Sequence, residues 1–190
     1  MEEKRADRRV VKTRRAIRGA FLKLWAEKAL DKITIKEIAE TADVDRKTVY
    51  NYYESVGDIL EELENELVEN FEEKTKELDY GVEDPFDFFK ALTEVLNENL
   101  DLYSQLMSSE SNTGFMEKVF VFLREKMQES LLSSGIVPLE KAELASEFIA
   151  AGMSFSYRTW FQSNRSTPLS ELSKAVGTLV MDGVNRYLLG

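Results

Sequence analysis

The run ITIKEIAETADVDRKTVYNYYESVG, residues 33–57, decides the fold. Thr34 and Glu37 stand three apart, the spacing of a capping box, and predict a helix that starts at Ile35. Ile35, Ile38, Ala39 and Ala42 then recur at i, i+3, i+4 and i+7, which gives that helix one buried face. Asp43-Val44-Asp45 breaks it. Aspartate is among the non-glycine residues that tolerate a left-handed backbone, so Asp43 can turn the chain. Val44 is placed to plug the angle between two helices. Asp45 is an N-cap for a second helix from Arg46 to about Tyr53. Ser55 and Asp58 repeat the capping spacing at the start of a third element.

Outward toward the N-terminus, Ile17, Ala20, Phe21, Leu24 and Trp25 form one helical stripe and predict a helix from about Val10 to Leu30. Residues 1–9 lack an apolar pattern and are expected to form a mobile arm. Toward the C-terminus, Leu60, Leu63, Leu67 and Phe71 mark a long acidic helix from Val56 to residue 78 or 79. A break follows at residues 80–85, with Asp84 as cap and Pro85 at the first helical position. Helical patterns then cover residue 86 to about Met107, broken once, and Phe115 to about Leu132. Pro138 and Pro168 each open a further long helix. No strand pattern or internal repeat is evident. The expected fold is all-α with about nine helices: an N-terminal helix-turn-helix unit of three helices and a C-terminal helical bundle. The expected division is 1–55 and 56–190, with the helix of residues 56–79 connecting them.

Composition narrows the function. The chain has 190 residues, no cysteine and no histidine. Disulfides, thiolate nucleophiles, cysteine- or histidine-based metal sites and His-dependent triads are therefore excluded. Di-iron carboxylate bundles need Glu-x-x-His pairs and are excluded with them. No phosphate-binding loop or activated nucleophile is present, so no catalytic residue, metal or cofactor is expected. No apolar run reaches the ~20 residues of a membrane span, and a cytoplasmic protein is expected. The net charge of −10 hides a division. Met1 to Tyr53 holds 14 Lys/Arg against 9 Asp/Glu, whereas the remainder holds 11 against 26. Such segregation points to a polyanionic partner at the N-terminal end.

A helix-turn-helix places its second helix in the major groove of DNA. Arg46, Lys47, Thr48, Asn51 and Tyr52 are the exposed positions expected there, and Arg, Lys and Asn can pair with base edges. Tyr50 and Tyr52 can bond phosphate, and Lys36 points toward the same groove or its backbone. A plain helical hairpin with a solvated face would show the same periodicity; the basic first helix favours the DNA reading.

From Thr13 to about Leu63 the sequence resembles the TetR/AcrR family of bacterial transcriptional regulators. The resemblance is carried by TRRAIRGAFLKLWAEKALDKIT, by Ile38-Ala39, by Val44, by Thr48-Val49-Tyr50 and by the aromatic Tyr53. It implies a regulator, expected to be a repressor, that binds double-stranded operator DNA as a homodimer and is released by a small apolar or amphipathic ligand. It places Lys36, Arg46, Lys47, Thr48, Tyr50, Asn51 and Tyr52 on DNA. Three positions depart from the family pattern: Asp43 stands for the usual turn glycine, Asp45 for a small residue, and Val56 for a phosphate-binding lysine. Arg14, Arg15 and Arg18, or the arm, are expected to replace that contact.

The C-terminal part is expected to hold a ligand among Phe89, Tyr103, Met107, Phe120, Met153, Tyr157 and Trp160. It is also expected to dimerise through Phe148, Gly152, Phe155, Val176, Val180 and Gly183. The alternative is an activator, or a regulator controlled by a partner protein instead of a small molecule; the C-terminal part resembles the TetR-type domain found in the DhaS-like group.

Overall fold

A computed structural model describes residues 2–76, 85–108, 113–133, 135 and 137–189. Among them are nine α-helices and no strand: α1 Glu2–Glu27, α2 Ile35–Thr41, α3 Arg46–Tyr50, α4 Val56–Thr75, α5 Pro85–Glu98, α6 Leu100–Ser108, α7 Thr113–Ser133, α8 Leu139–Gln162 and α9 Leu169–Leu189. The all-α expectation therefore holds. The chain divides into two compact units, one up to Glu66 and one from Leu67, and the division falls inside α4. The Asp84 cap and the end of the predicted acidic helix lie outside the described residues.

In the first unit the apolar stripe of α1 is buried as its spacing requires. Ile17 and Phe21 are fully enclosed, and Phe21 meets the Trp25 ring at 5.5 Å between centroids. Ile38, Ala39, Val49, Tyr53 and Ile59 complete this core. One expectation fails here. The helix does not start at Val10 but already at Glu2, so residues 2–9 are helix and not an irregular arm. The reason is local: that segment has no Gly or Pro to stop a helix, and every residue in it except Asp7 is a Glu, Lys, Arg or Ala, which favour one. At its other end α1 stops at Glu27, and a single 3₁₀ turn, Leu30–Lys32, leads into the next helix.

Both predicted capping boxes form. Glu37 N–H donates to Thr34 Oγ1 at 3.3 Å, and Thr34 N–H donates to Glu37 Oε2 at 3.1 Å. Asp58 N–H donates to Ser55 Oγ at 3.2 Å, and the Asp58 carboxylate accepts from the N–H groups of Glu54 and Ser55. The Glu37 carboxyl is held below its ordinary range, first by the Lys28 ammonium at 2.6 Å and then by Thr34. Asp58 is lowered too, first by the Ser55 hydroxyl and then by the Glu54 N–H. A carboxylate with a lowered folded pKa stabilises above its unfolded pKa and loses that contribution as pH falls through the folded value. The first unit is therefore expected to loosen as pH falls below about 4, and the double variant Glu37→Gln, Asp58→Asn should flatten that acid limb. Circular dichroism melts between pH 6 and 3 measure both effects.

The second unit is a helical bundle. α7 packs on α8, α5 on α9, and α8 contacts both α6 and α9. Phe71 on α4 meets Phe88 on α5 at 5.7 Å and Phe122 on α7 at 5.3 Å, both edge-on. Lys126 on α7 pairs with Glu72 on α4 at 3.2 Å. The antiparallel register of α8 and α9 is pinned at two levels. The Tyr157 hydroxyl lies 2.7 Å from Ser173 Oγ, and the Lys141 ammonium sits 5.5 Å from the Tyr187 ring centre.

Candidate functional site

The turn between α2 and α3 is sealed by backbone bonds. Asp43 adopts φ 53°, the left-handed region that its sequence position calls for. Val44 N–H then reaches back to Ala39 carbonyl at 3.0 Å, and Asp43 N–H to Glu40 carbonyl at 3.4 Å. This double closure is a Schellman motif, normally made with glycine. Asp45 then caps α3, its carboxylate accepting from Lys47 N–H at 2.9 Å. Its anionic side chain is thus a helix cap.

α3 is shorter than its pattern suggests, ending at Tyr50, with Asn51 and Tyr52 in the following turn. Val49 points inward and is fully buried. Arg46, Lys47, Tyr50 and Asn51 are exposed, while Thr48 and Tyr52 are half-buried. None of these six side chains makes a hydrogen bond or ion pair among the described residues, apart from backbone bonds of the helix. They form a compact row of uncommitted donors. Lys36, in the first turn of α2, is exposed and only loosely paired with Glu40 at 3.8 Å.

Arg14 and Arg18 differ from this row. Arg14 is paired with Glu62 on α4, and Arg18 with Glu66, while Arg18 also lies 3.5 Å from Glu62. Tyr53 belongs to the same cluster. Its ring lies 5.8 Å from the Arg14 guanidinium, and its hydroxyl donates to Glu62 Oε1 at 3.0 Å. Burial pushes the Tyr53 phenol up, so it stays protonated and able to donate. The sequence carries a signal for this clamp in its spacing. Arg14 and Arg18 are four apart on one helix, Glu62 and Glu66 four apart on another, and two such ladders match in pitch.

In the second unit a cavity of about 50 Å³ lies between α4, α5, α6, α7 and α8. Tyr103, Met107, Met153 and Tyr157, all predicted, line it. Phe89, Phe120 and Trp160 do not. Phe89 floors a separate groove with Lys90, Thr93, Ser173 and Lys174, and Phe120 is half-buried on α7. Trp160 ties down the end of α8, its Nε1–H donating to Thr167 carbonyl at 2.7 Å. Leu67, Phe71, Leu96, Phe115, Leu123 and Ser154 also border the cavity and were not predicted. Apolar residues at helical spacing look the same whether they fill a core or wall a void.

Along α8, Phe148 and Phe155 are 71% and 73% exposed, and Leu179 on α9 is 75% exposed. The register of the two helices puts Leu179 at the level of the Phe148–Phe155 stretch. Gly152 and Gly183 are exposed too, and a Cβ added to either would meet nothing within 4 Å. Val180 is half-buried, and Val176 is buried within its own chain. Among the described residues no helix is long and apolar enough to cross a membrane.

Comparison with known proteins gives two family matches. Residues 17–63 match the model described as bacterial regulatory proteins, tetR family. Residues 83–182 match a model described as transcriptional regulator C-terminal region. An uncharacterised HTH-type transcriptional regulator of Bacillus subtilis, YxbF, is 40% identical over 63 residues, 33% of this chain and 17% of that protein's length. Among solved structures, the dihydroxyacetone kinase operon activator DhaS aligns with TM-score 0.67 at 18% identity, over 93% of this chain and 98% of its own. Thermus thermophilus FadR, a TetR-family transcriptional repressor solved with lauroyl-CoA, aligns with TM-score 0.63 at 21% identity, over 90% and 94%. At these identities the structural likeness speaks for the fold.

Proposed function

Because the chain belongs to the TetR family of DNA-binding transcriptional regulators, we propose that it is a homodimeric repressor released from a roughly palindromic operator by a small ligand. Residues 1–55 are then the DNA-reading part and 56–190 the ligand-binding and dimerisation part. The observation that carries the DNA-reading assignment is the uncommitted row Arg46, Lys47, Thr48, Tyr50, Asn51 and Tyr52, presented by a turn that backbone bonds fix. Lys36 adds a contact from α2. Two copies related by a twofold axis through the exposed α8 and α9 faces would offer two such rows to successive major grooves. Helical glycine is less stable than alanine by about 1 kcal/mol. Gly152 and Gly183 bring no compensation inside their own chain, which favours a role for close approach of a partner helix.

In this reading a ligand in the apolar cavity weakens operator binding, with α4 as the route, since it supplies Glu62 and Glu66 to one unit and Leu67 and Phe71 to the other. The cavity's small volume favours the second reading, control by a partner protein: about 50 Å³ is well below the roughly 300 Å³ at which drug-sized sites begin. The test is selection of bound DNA from a random pool, then release by a compound library. A chain that selects no sequence is not a DNA-reading regulator. One that binds but yields to no compound, and instead forms a stable complex with a protein, has the second mode of control.

Arg14 and Arg18 reach DNA phosphates in this reading only by leaving Glu62 and Glu66. The double variant Glu62→Gln, Glu66→Gln is therefore expected to bind operator more tightly. Its affinity should also fall more steeply with salt, the log–log slope gaining about 0.9 for each phosphate newly contacted. Anisotropy titrations between 50 and 200 mM salt measure this; an unchanged slope would make the two arginines purely structural.

A further inference from the structure

We infer that the cavity of the second unit takes an uncharged, mostly hydrocarbon compound with a single hydrogen-bonding group, and that Ser154 receives that group. This rests on the ligand-sensing reading and specifies its chemistry. Among the described residues the wall contains no Lys, Arg, Asp or Glu. A carboxylate, phosphate or ammonium would lie there without a counter-charge, at a prohibitive desolvation cost. Among those residues its polar side chains are three hydroxyls, those of Tyr103, Tyr157 and Ser154.

One of the three, that of Tyr157, is accounted for. Burial raises the Tyr103 phenol, helped by the nearby Glu98 charge, and pushes Tyr157 up to about 12, so both stay neutral. The Tyr157 hydroxyl is already engaged. It lies 2.7 Å from Ser173 Oγ, which lies 2.6 Å from Thr93 Oγ1, and Thr93 donates to Phe89 carbonyl at 2.7 Å. With one hydrogen per hydroxyl, Thr93 gives its own to Phe89, Ser173 gives to Thr93 and Tyr157 gives to Ser173. The chain is complete and asks nothing of a ligand.

Ser154 is buried without such a chain. The residue is 9% exposed, its Oγ is buried, and that atom has no hydrogen-bond partner. Buried hydroxyls nearly always find one. A water in this cavity would meet few of the two to four polar partners that hold a buried water. A ligand hydroxyl, carbonyl or ether oxygen satisfies Ser154 while its carbon chain takes the apolar wall. The space of about 50 Å³ suits only a few non-hydrogen atoms as it stands. Met107 and Met153 border it, and their unbranched thioethers can move aside for a longer chain.

The test uses the full chain with ¹³C-labelled methionine methyls, titrated without DNA with 1-hexanol, 1-chlorohexane and hexanoate. Saturable shifts are expected at Met107 and Met153 with 1-hexanol, smaller ones with 1-chlorohexane, and none with hexanoate. Ser154→Ala should weaken 1-hexanol by roughly two- to tenfold, the worth of one hydrogen bond, and leave 1-chlorohexane unchanged. The inference is overturned if hexanoate binds as well as hexanol, if Ser154→Ala weakens both neutral compounds equally, or if none of them shifts Met107 and Met153. Operator release is scored separately. Hexanol bound at this site without any effect on DNA affinity would fault the ligand-sensing reading and leave the cavity's chemistry standing.

Discussion

Replacing both Phe148 and Phe155 by aspartate is expected to leave the chain folded but monomeric, and about a hundredfold or more weaker on operator DNA. Both rings are more than two-thirds exposed, so their own chain loses almost no packing when they go. A paired interface, in contrast, would receive four carboxylates per dimer at its apolar centre, uncompensated and desolvated. Two linked reading units gain about 10² to 10⁴ in avidity over one, and that gain disappears with the dimer. Sedimentation velocity reads the association state, and anisotropy on the selected operator reads the affinity. A variant that remains dimeric would move the interface away from α8 and α9.

The second large effect is expected at Phe21. Its side chain is fully enclosed in the first unit and stacks at a tilt on Trp25. Phe21→Ala should cost about 3–5 kcal/mol. A unit of that size has only about 3–10 kcal/mol in total at the usual 0.05–0.15 kcal/mol per residue. The first unit is therefore expected to be largely unfolded at 37 °C and operator binding lost. The chain carries two tryptophans, Trp25 and Trp160, one in each unit. Single-tryptophan variants can follow the two melts separately. The Trp25 signal should shift strongly in Phe21→Ala and the Trp160 signal little; equal shifts would mean that the units melt as one.

The first unit was legible in the sequence because its signals are local. Thr34 and Glu37, Asp43, and Ser55 and Asp58 each act through backbone groups within three or four residues, and residue type alone specifies them. The start of α1 escaped for the opposite reason, since residues 2–9 hold no Gly or Pro to mark a stop and helix propensity carried the chain on through Asp7. The salt-bridge clamp was missed because Arg14 and Glu62 lie 48 positions apart, and only matched spacing hinted at their pairing. In the second unit the limit is physical. Phe115 beside the cavity and Phe148 on the surface are both large apolar residues on amphipathic helices, and only packing separates them. Val176 and Val180 show the same limit: four residues apart on α9, one is buried within its own chain and the other only half so.

The turn at Asp43 has a consequence for how such a protein can change. Its geometry is written in main-chain bonds and one carboxylate cap, and the six side chains of the α3 row, four exposed and two half-buried, contribute no hydrogen bond or ion pair to holding it. The letters of the reader are thus separable from the frame that presents them. Arg46, Lys47, Thr48 and Asn51 can be exchanged in combination at little risk to folding, so a lineage, or a designer, can move this frame to a new DNA sequence without first rebuilding it.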